Sequence, residues 1–205
     1  MHKYIFQDVY SWAGKDRYEM GLYGFMAKGD SIFCKGGFLP EQSKSIFGNL
    51  KAQKFYKGIK DKDKFAQNLA SFVADLNALH PFREGNDRVQ RIFINELAQN
   101  AGFTLDINLT PKEQMLSASI QSVNGDTKGL CEIIRRELNR EELQNKLDRN
   151  LRNYEKVSDE KQKQAFLDKA NNLVKEAKSY GINLDSKSIQ KLERANKEKD
   201  RGMER

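Results

Sequence analysis

Between Asp61 and Leu79 the apolar residues fall at Phe65, Leu69, Phe72, Val73, Leu76 and Leu79, the three-and-four spacing of a helix that buries one stripe. Val89, Ile92, Phe93, Leu97 and Ala98 take up the same spacing farther on, which predicts a second packed helix. The stretch between them, His80-Pro81-Phe82-Arg83-Glu84-Gly85-Asn86-Asp87-Arg88-Val89-Gln90-Arg91, is far more polar than either flank. It is expected to be a loop and a helix start, held between two elements of the core.

The remaining pattern predicts a mainly helical chain with one hairpin. Ile5 to Ala13 reads as a short helix stopped by Gly14, and Tyr23 to Phe38, with glycines at 24, 29, 36 and 37, reads as a β-hairpin. Pro40 opens a helix reaching toward Tyr56. Thr110-Pro111-Lys112-Glu113 has the form of a capping box with proline at the first helical position, and Gly125 ends the helix it starts. Asp126 begins the next, with Leu130, Ile133, Ile134 and Leu138 on one face.

From about residue 139 the composition shifts to dense mixed charge over a thin stripe of Leu143, Leu147, Leu151 and Tyr154. Phe166, Leu167, Ala170, Leu173, Val174 and Ala177 form a further amphipathic segment before Gly181. Lys191 to Arg205 is polar and expected to fray. The expected division is 1–138 as one domain and 139–205 as a charged helical extension.

Composition narrows the class. A chain of 205 residues that is 38% hydrophobic can bury one core of domain size, and 32% charged residues argue against a membrane protein. No apolar run approaches the roughly 20 residues that a membrane span needs, and the N-terminus lacks the apolar centre of a secretory signal, so a cytoplasmic location is expected, with export as an effector left open. Cys34 and Cys131 are too few for a disulfide framework. The net charge of +7 invites nucleic acid as a partner, but acidic residues interleave with basic ones and no zinc-finger or RNA-binding signature is present, so no nucleic acid is expected.

Chemistry concentrates between His80 and Arg91. A chain entering a helix presents unpaired N–H groups and the positive end of the dipole, a ready anion site. Gly85 lets the backbone approach a ligand, and Arg88 and Arg91 lie one turn apart. Two guanidiniums beside a helix start suit a polyphosphate. Glu84 could then hold a divalent cation between phosphate oxygens, and His80 is left as a general base. Each has a plainer reading alone: a turn histidine before proline, solvated arginines, a helix-end acid. Their occurrence together favours a site.

Every defined position of this string but one matches His-x-Phe-x-(Asp/Glu)-Gly-Asn-Gly-Arg-x-x-Arg, and it resembles the signature of the Fic domain family. The resemblance continues backward through Tyr10-Ser11-Trp12-Ala13-Gly14 with Arg17, and through Lys28-Gly29-Asp30-Ser31-Ile32-Phe33-Cys34, similar to the family's helix entry and flap; it covers residues 1–138. It implies a mainly α, Fic-like helical bundle with a short β-hairpin flap over the active site. It also implies transfer of AMP from ATP to a Ser, Thr or Tyr hydroxyl of a target protein. His80 would deprotonate the hydroxyl and Glu84 would carry Mg²⁺. Gly85, Asn86 and the following amides, that of Asp87 included, would form the anion hole, with Arg88 and Arg91 neutralising charge. Phe82 would anchor the loop, Lys28 and Gly29 would touch the nucleotide, and an extended target segment would pair with the flap.

The exception is Asp87, which stands where the signature has its second glycine. One reading makes it an N-cap that stabilises the helix start; the other puts its carboxylate in the anion hole, repelling phosphate and restraining turnover. Two further functions stay open: a phosphotransferase or other nucleotide-moiety transferase with a different ATP pose, and a catalytically weak Fic-like protein-binding module. The resemblance also implies inhibition by a helix bearing (Ser/Thr)-x-x-x-Glu-(Gly/Asn). Ser188-Ile189-Gln190-Lys191-Leu192-Glu193 comes nearest without matching, and the Fic-like region starts almost at Met1. The expectation is that a separate antitoxin supplies the glutamate or that Asp87 itself restrains the enzyme.

Overall fold

The computed structural model describes residues 1–203, with side chains through Lys199. The chain divides into two compact units, Met1–Glu137 and Leu138–Arg205.

The first unit is built around one long helix. It opens with α1 (His2–Phe6), shorter than the expected helix over Ile5–Ala13. Beyond Phe6 there is no apolar stripe to bury: Val9 is exposed, and Tyr10 and Trp12 stack on each other, ring centroids 4.5 Å apart, within a series of turns. The hairpin is also smaller than its glycine pattern predicts. Only β1 (Ala27–Lys28) and β2 (Ser31–Ile32) pair, antiparallel, with Ala27 opposite Ile32 and Lys28 opposite Ser31. Gly29 turns the chain at φ 59°. Gly36 and Gly37 instead fold back on residues 23 and 24, their amides donating to Gly24 O and Tyr23 O, and Gly36–Phe38 is a 3-10 turn.

Next comes α2 (Leu39–Ala52), with proline in its first turn as expected; the chain then passes Lys54, Phe55 and Tyr56 with positive φ. The central helix α3 (Lys62–Leu79) is capped by Asp61, whose carboxylate accepts from the Lys64 amide at 2.7 Å. The whole predicted stripe of α3 is buried, Phe65 and Leu69 completely, and α2, the next helix α4 (Asn86–Ala101) and α5 (Lys112–Val123) pack around it.

The predicted capping box ahead of α5 does not form. The Thr110 hydroxyl donates instead to the fully buried Glu137 side chain, 3.2 Å away, because a polar group taken out of water needs a partner more than an exposed helix end does. Asp126 caps α6 (Lys128–Lys156) by accepting from the Lys128 amide.

The second unit is formed by the rest of α6 with α7 (Glu160–Ser179) and α8 (Ser186–Met203). Leu147, Leu151, Leu167, Ala170, Leu192 and Ala195 make its core. A polar clasp of Gln144, Asp148, Asp185 and Ser188 joins α6 to the start of α8, with Ser188 Oγ donating to Asp148 at 2.7 Å. The frayed tail expected from Lys191 is therefore corrected over its described part: Leu192 and Ala195 are too sparse to read as a stripe but are buried, and the helix runs to Met203. Residues 204–205 of that expectation lie outside the described residues.

Candidate active site

His80 terminates α3 in the left-handed conformation, φ 43° and ψ 61°. Glycine usually takes this position, so a histidine here carries backbone strain of about 1–3 kcal/mol and needs its surroundings to hold it. Its imidazole stacks on Phe33, which follows β2, with centroids 3.9 Å apart and planes at 16°. Burial, and then the positive charges of Arg17 and Lys28, push its pKa down to about 4. The ring is neutral at physiological pH, with a lone pair free for a proton.

The loop after His80 is tied carbonyl by carbonyl. Arg17 donates through Nη2 to Leu79 O, through Nε to His80 O and through its own amide to Pro81 O. Asn86, 4% exposed, accepts from the Phe82 amide at 2.9 Å and donates to Phe82 O at 2.7 Å. Buried His2 stacks on Phe82, centroids 3.9 Å apart; its Nδ1 accepts from the Gly14 amide, so Nε2 carries the proton and donates to Glu84 O at 3.0 Å.

This bracing delivers the start of α4. Gly85 is its N-cap residue, with φ 81°, and no side chain caps the helix. A side chain at 85 is excluded twice, by φ and because a Cβ would lie 2.4 Å from the Phe6 ring. The first amides of α4 thus have no intrahelical acceptor, the condition for an anion site. Glu84 beside them is exposed and contributes a single carboxylate; no cluster of three metal-ligating side chains occurs among the described residues. Such a lone carboxylate suits a Mg²⁺ that arrives on phosphate oxygens better than a resident ion.

The structure does not gather every expected group at that helix start. The Asn86 side chain is consumed in holding Phe82, leaving only its backbone amide. Asp87 is not the N-cap but the second residue of the helix, and its carboxylate pairs with Arg91, Nε to Oδ1 at 3.1 Å. Arg91 is largely buried and also reaches Ile107 O, whereas Arg88 is exposed with its guanidinium 5.5 Å from the centre of the Phe6 ring. The two arginines therefore diverge. Lys28 and Gly29 sit at the hairpin turn, exposed, and only the charge of Lys28 registers at His80.

Two bracing residues escaped the sequence pattern. His2 carries no periodic signal, and Arg17 stood out only within the resemblance to Fic domains. A buried arginine and a solvated one look alike in sequence.

The family model described as Fic/DOC family matches residues 1–98. The chain is 36% identical over 136 residues to the probable protein adenylyltransferase y4lH of Sinorhizobium fredii, covering 66% of this chain and 68% of that protein. It is 36% identical over 138 residues to the protein adenylyltransferase VbhT of Bartonella schoenbuchensis, covering 67% of this chain but only 28% of the relative. Among solved structures, an N-terminal Fic domain of a Bartonella quintana effector with bound ADP superposes with a TM-score of 0.62 at 29% identity, covering 66% of this chain and 68% of that one. The BepC protein of Bartonella tribocorum with bound AMPPNP gives a TM-score of 0.61 at 28% identity, covering 66% and 70%.

Proposed function

Since the chain belongs to the Fic/DOC family, we propose that it is a protein adenylyltransferase that moves AMP from ATP to a Ser, Thr or Tyr hydroxyl of a target protein. The observation that carries this reading is a neutral, backbone-locked imidazole next to an uncapped helix start. The adenylyltransferase names of the relatives and the ADP and AMPPNP in the structural neighbours support it.

His80 takes the proton of the attacking hydroxyl as its oxygen bonds to the α-phosphorus of ATP; the bond from that phosphorus to the bridging oxygen breaks, and pyrophosphate leaves. The amides of Asn86, Asp87 and Arg88 bind phosphate oxygens in a geometry fixed before substrate arrives, which is where electrostatic catalysis gains most. Glu84 would hold Mg²⁺, which supplies charge neutralisation on the phosphates. Positioning and charge dominate such transfers. The exposed hairpin would seat an extended segment of the target along β2.

The ion pair between Asp87 and Arg91 favours a restrained form of this enzyme. While Asp87 holds it, Arg91 is not available to phosphate, and the added carboxylate opposes an incoming polyanion. Intact-mass measurement of lysate proteins incubated with the protein, ATP and Mg²⁺ tests the assignment. An AMP adduct that disappears in His80→Ala is expected; a phosphate adduct would make the protein a phosphotransferase, and no adduct even with Asp87→Gly would leave a binding module.

A further inference from the structure

Arg17 is 2% exposed, yet among the described residues no carboxylate is hydrogen-bonded to its guanidinium. Burying a cation without a counter-ion is unfavourable unless its donors are satisfied. Here they meet carbonyls: Nε reaches His80 O at 2.9 Å, and Nη2 reaches Leu79 O at 3.1 Å and Cys34 O at 2.7 Å. The first two lie at the C-terminal end of α3, where the helix dipole is negative, so the helix end stands in for a counter-ion.

The third carbonyl belongs to a different part of the site. Cys34 follows Phe33, the ring stacked on His80, and its amide donates to Ala78 O in the last turn of α3. Phe33 in turn bonds back to Met26, next to β1. One guanidinium therefore holds the backbone of His80 on one side and the root of the hairpin on the other. Its side-chain hydrogen bonds among the described residues all go to these three carbonyls.

We propose that Arg17 is a positioning residue for the transfer reaction: it fixes the direction of the His80 imidazole and ties that direction to the flap, so that seating a target on the hairpin and aligning the base are one event. This rests on the reading of His80 as the base. A strained left-handed histidine needs more than its own helix to hold it, and Arg17 supplies two of the bonds on its flanking carbonyls. The nearby positive charge also keeps the imidazole neutral.

Arg17→Lys and Arg17→Met test this. Lysine keeps the charge but presents a point donor instead of a planar fork, so it cannot span carbonyls on both sides. With Arg17→Lys, kcat should fall about 100-fold, the scale of a displaced reacting group, with KM for ATP nearly unchanged. A readout independent of turnover is available because the chain has only two histidines, His2 and His80. In NMR spectra of Arg17→Lys the ring contacts between Phe33 and His80 should weaken, while in Arg17→Met the His80 titration should also move up from about 4. If Arg17→Met does not fold, the lysine variant alone decides. Wild-type kcat together with intact Phe33–His80 contacts in Arg17→Lys would overturn the proposal. If transfer instead survives His80→Ala, the base assignment falls, while the ring contacts still report on the tie through Arg17.

Discussion

The loop from Leu79 to Gly85, which carries His80, and the hairpin from Ala27 to Ile32, whose next residue Phe33 stacks on that imidazole, are built in opposite ways. Four of the loop's carbonyls are held by buried side chains from outside it, those of Arg17, Asn86 and His2. The hairpin has two residue pairs, and Phe25 and Ile32 on or beside it are 72% and 63% exposed. The loop carries the groups proposed to do chemistry, which must not move. The hairpin carries apolar side chains and unpaired edge groups, which suit recognition of another chain. Rigidity comes here from satisfied buried polar groups more than from apolar packing.

The largest expected effect lies at the meeting point. His80→Ala should lower transfer by about 10² to 10⁴-fold, the usual contribution of a general base, while leaving ATP affinity nearly intact. An undiminished rate would remove the base from the loop and with it the division of labour. The pH dependence sharpens the same point. With its pKa near 4, His80 stays neutral as pH falls from 7, so the acid limb of kcat/KM should lie near 4 rather than 6.5. Stability has a matching sign. In this window the unfolded histidine binds a proton that the folded one refuses, so the native state weakens as pH falls from 6.5 to 4 and loses nothing further from this group below that.

Next in size is Asn86→Ala, which removes both bonds that hold Phe82. Phe82 is half-buried, so stranding its amide and carbonyl costs toward the low end of about 1–3 kcal/mol each, and a drop of about 2 kcal/mol in a urea titration is expected. Transfer should fall as well, because Phe82 and Glu84 lose their register. A loss below about 0.5 kcal/mol, the level of a surface change, would show that the loop is held by other means.

The sequence made part of this arrangement legible. The stripe of α3 survived intact, because apolar spacing reports directly on which face is buried, and the uncapped helix start followed from Gly85 and its neighbours. The stripe of α4 held at Leu97 and Ala98, while Ile92 is exposed, Val89 and Phe93 are half-buried and Ile94, outside the expected stripe, is fully buried. Polar bracing did not show. Arg17 and His2 act through carbonyls, which every residue possesses, so no pairing of residue types betrays them. Asp87 illustrates the same gap: its type suggested a cap, but the cap position went to Gly85, and a carboxylate one turn before an arginine found that partner instead. In α8 the apolar residues were too few to distinguish a buried face from a solvated one, although Leu192 and Ala195 are covered.

Asp87→Gly tests whether the rigid half carries its own brake. Freed from the pair, Arg91 can reach phosphate and one negative charge is gone. Because Asp87 is 73% exposed, solvent screens the pair, and a gain on the order of 1 kcal/mol, about fivefold in ATP affinity and AMP transfer, is expected. Calorimetry and adduct formation would read it. Unchanged values for both would reduce the pair to a helix-surface contact.

The smallest effect on the fold should come from the hairpin. Phe25→Ala and Ile32→Ala remove side chains that are mostly in solvent, so each should shift stability by no more than about 0.5 kcal/mol. If the hairpin is the recognition half, the same changes should nevertheless raise KM for the target protein while leaving KM for ATP alone, since neither residue lies in the loop or at the start of α4. The contrast between the two substrates is the informative quantity. A parallel rise in both would mean that the hairpin helps to form the nucleotide site itself. A large loss of stability would mean that these side chains are part of the packing, and the opposition between a braced loop and an open hairpin would no longer hold.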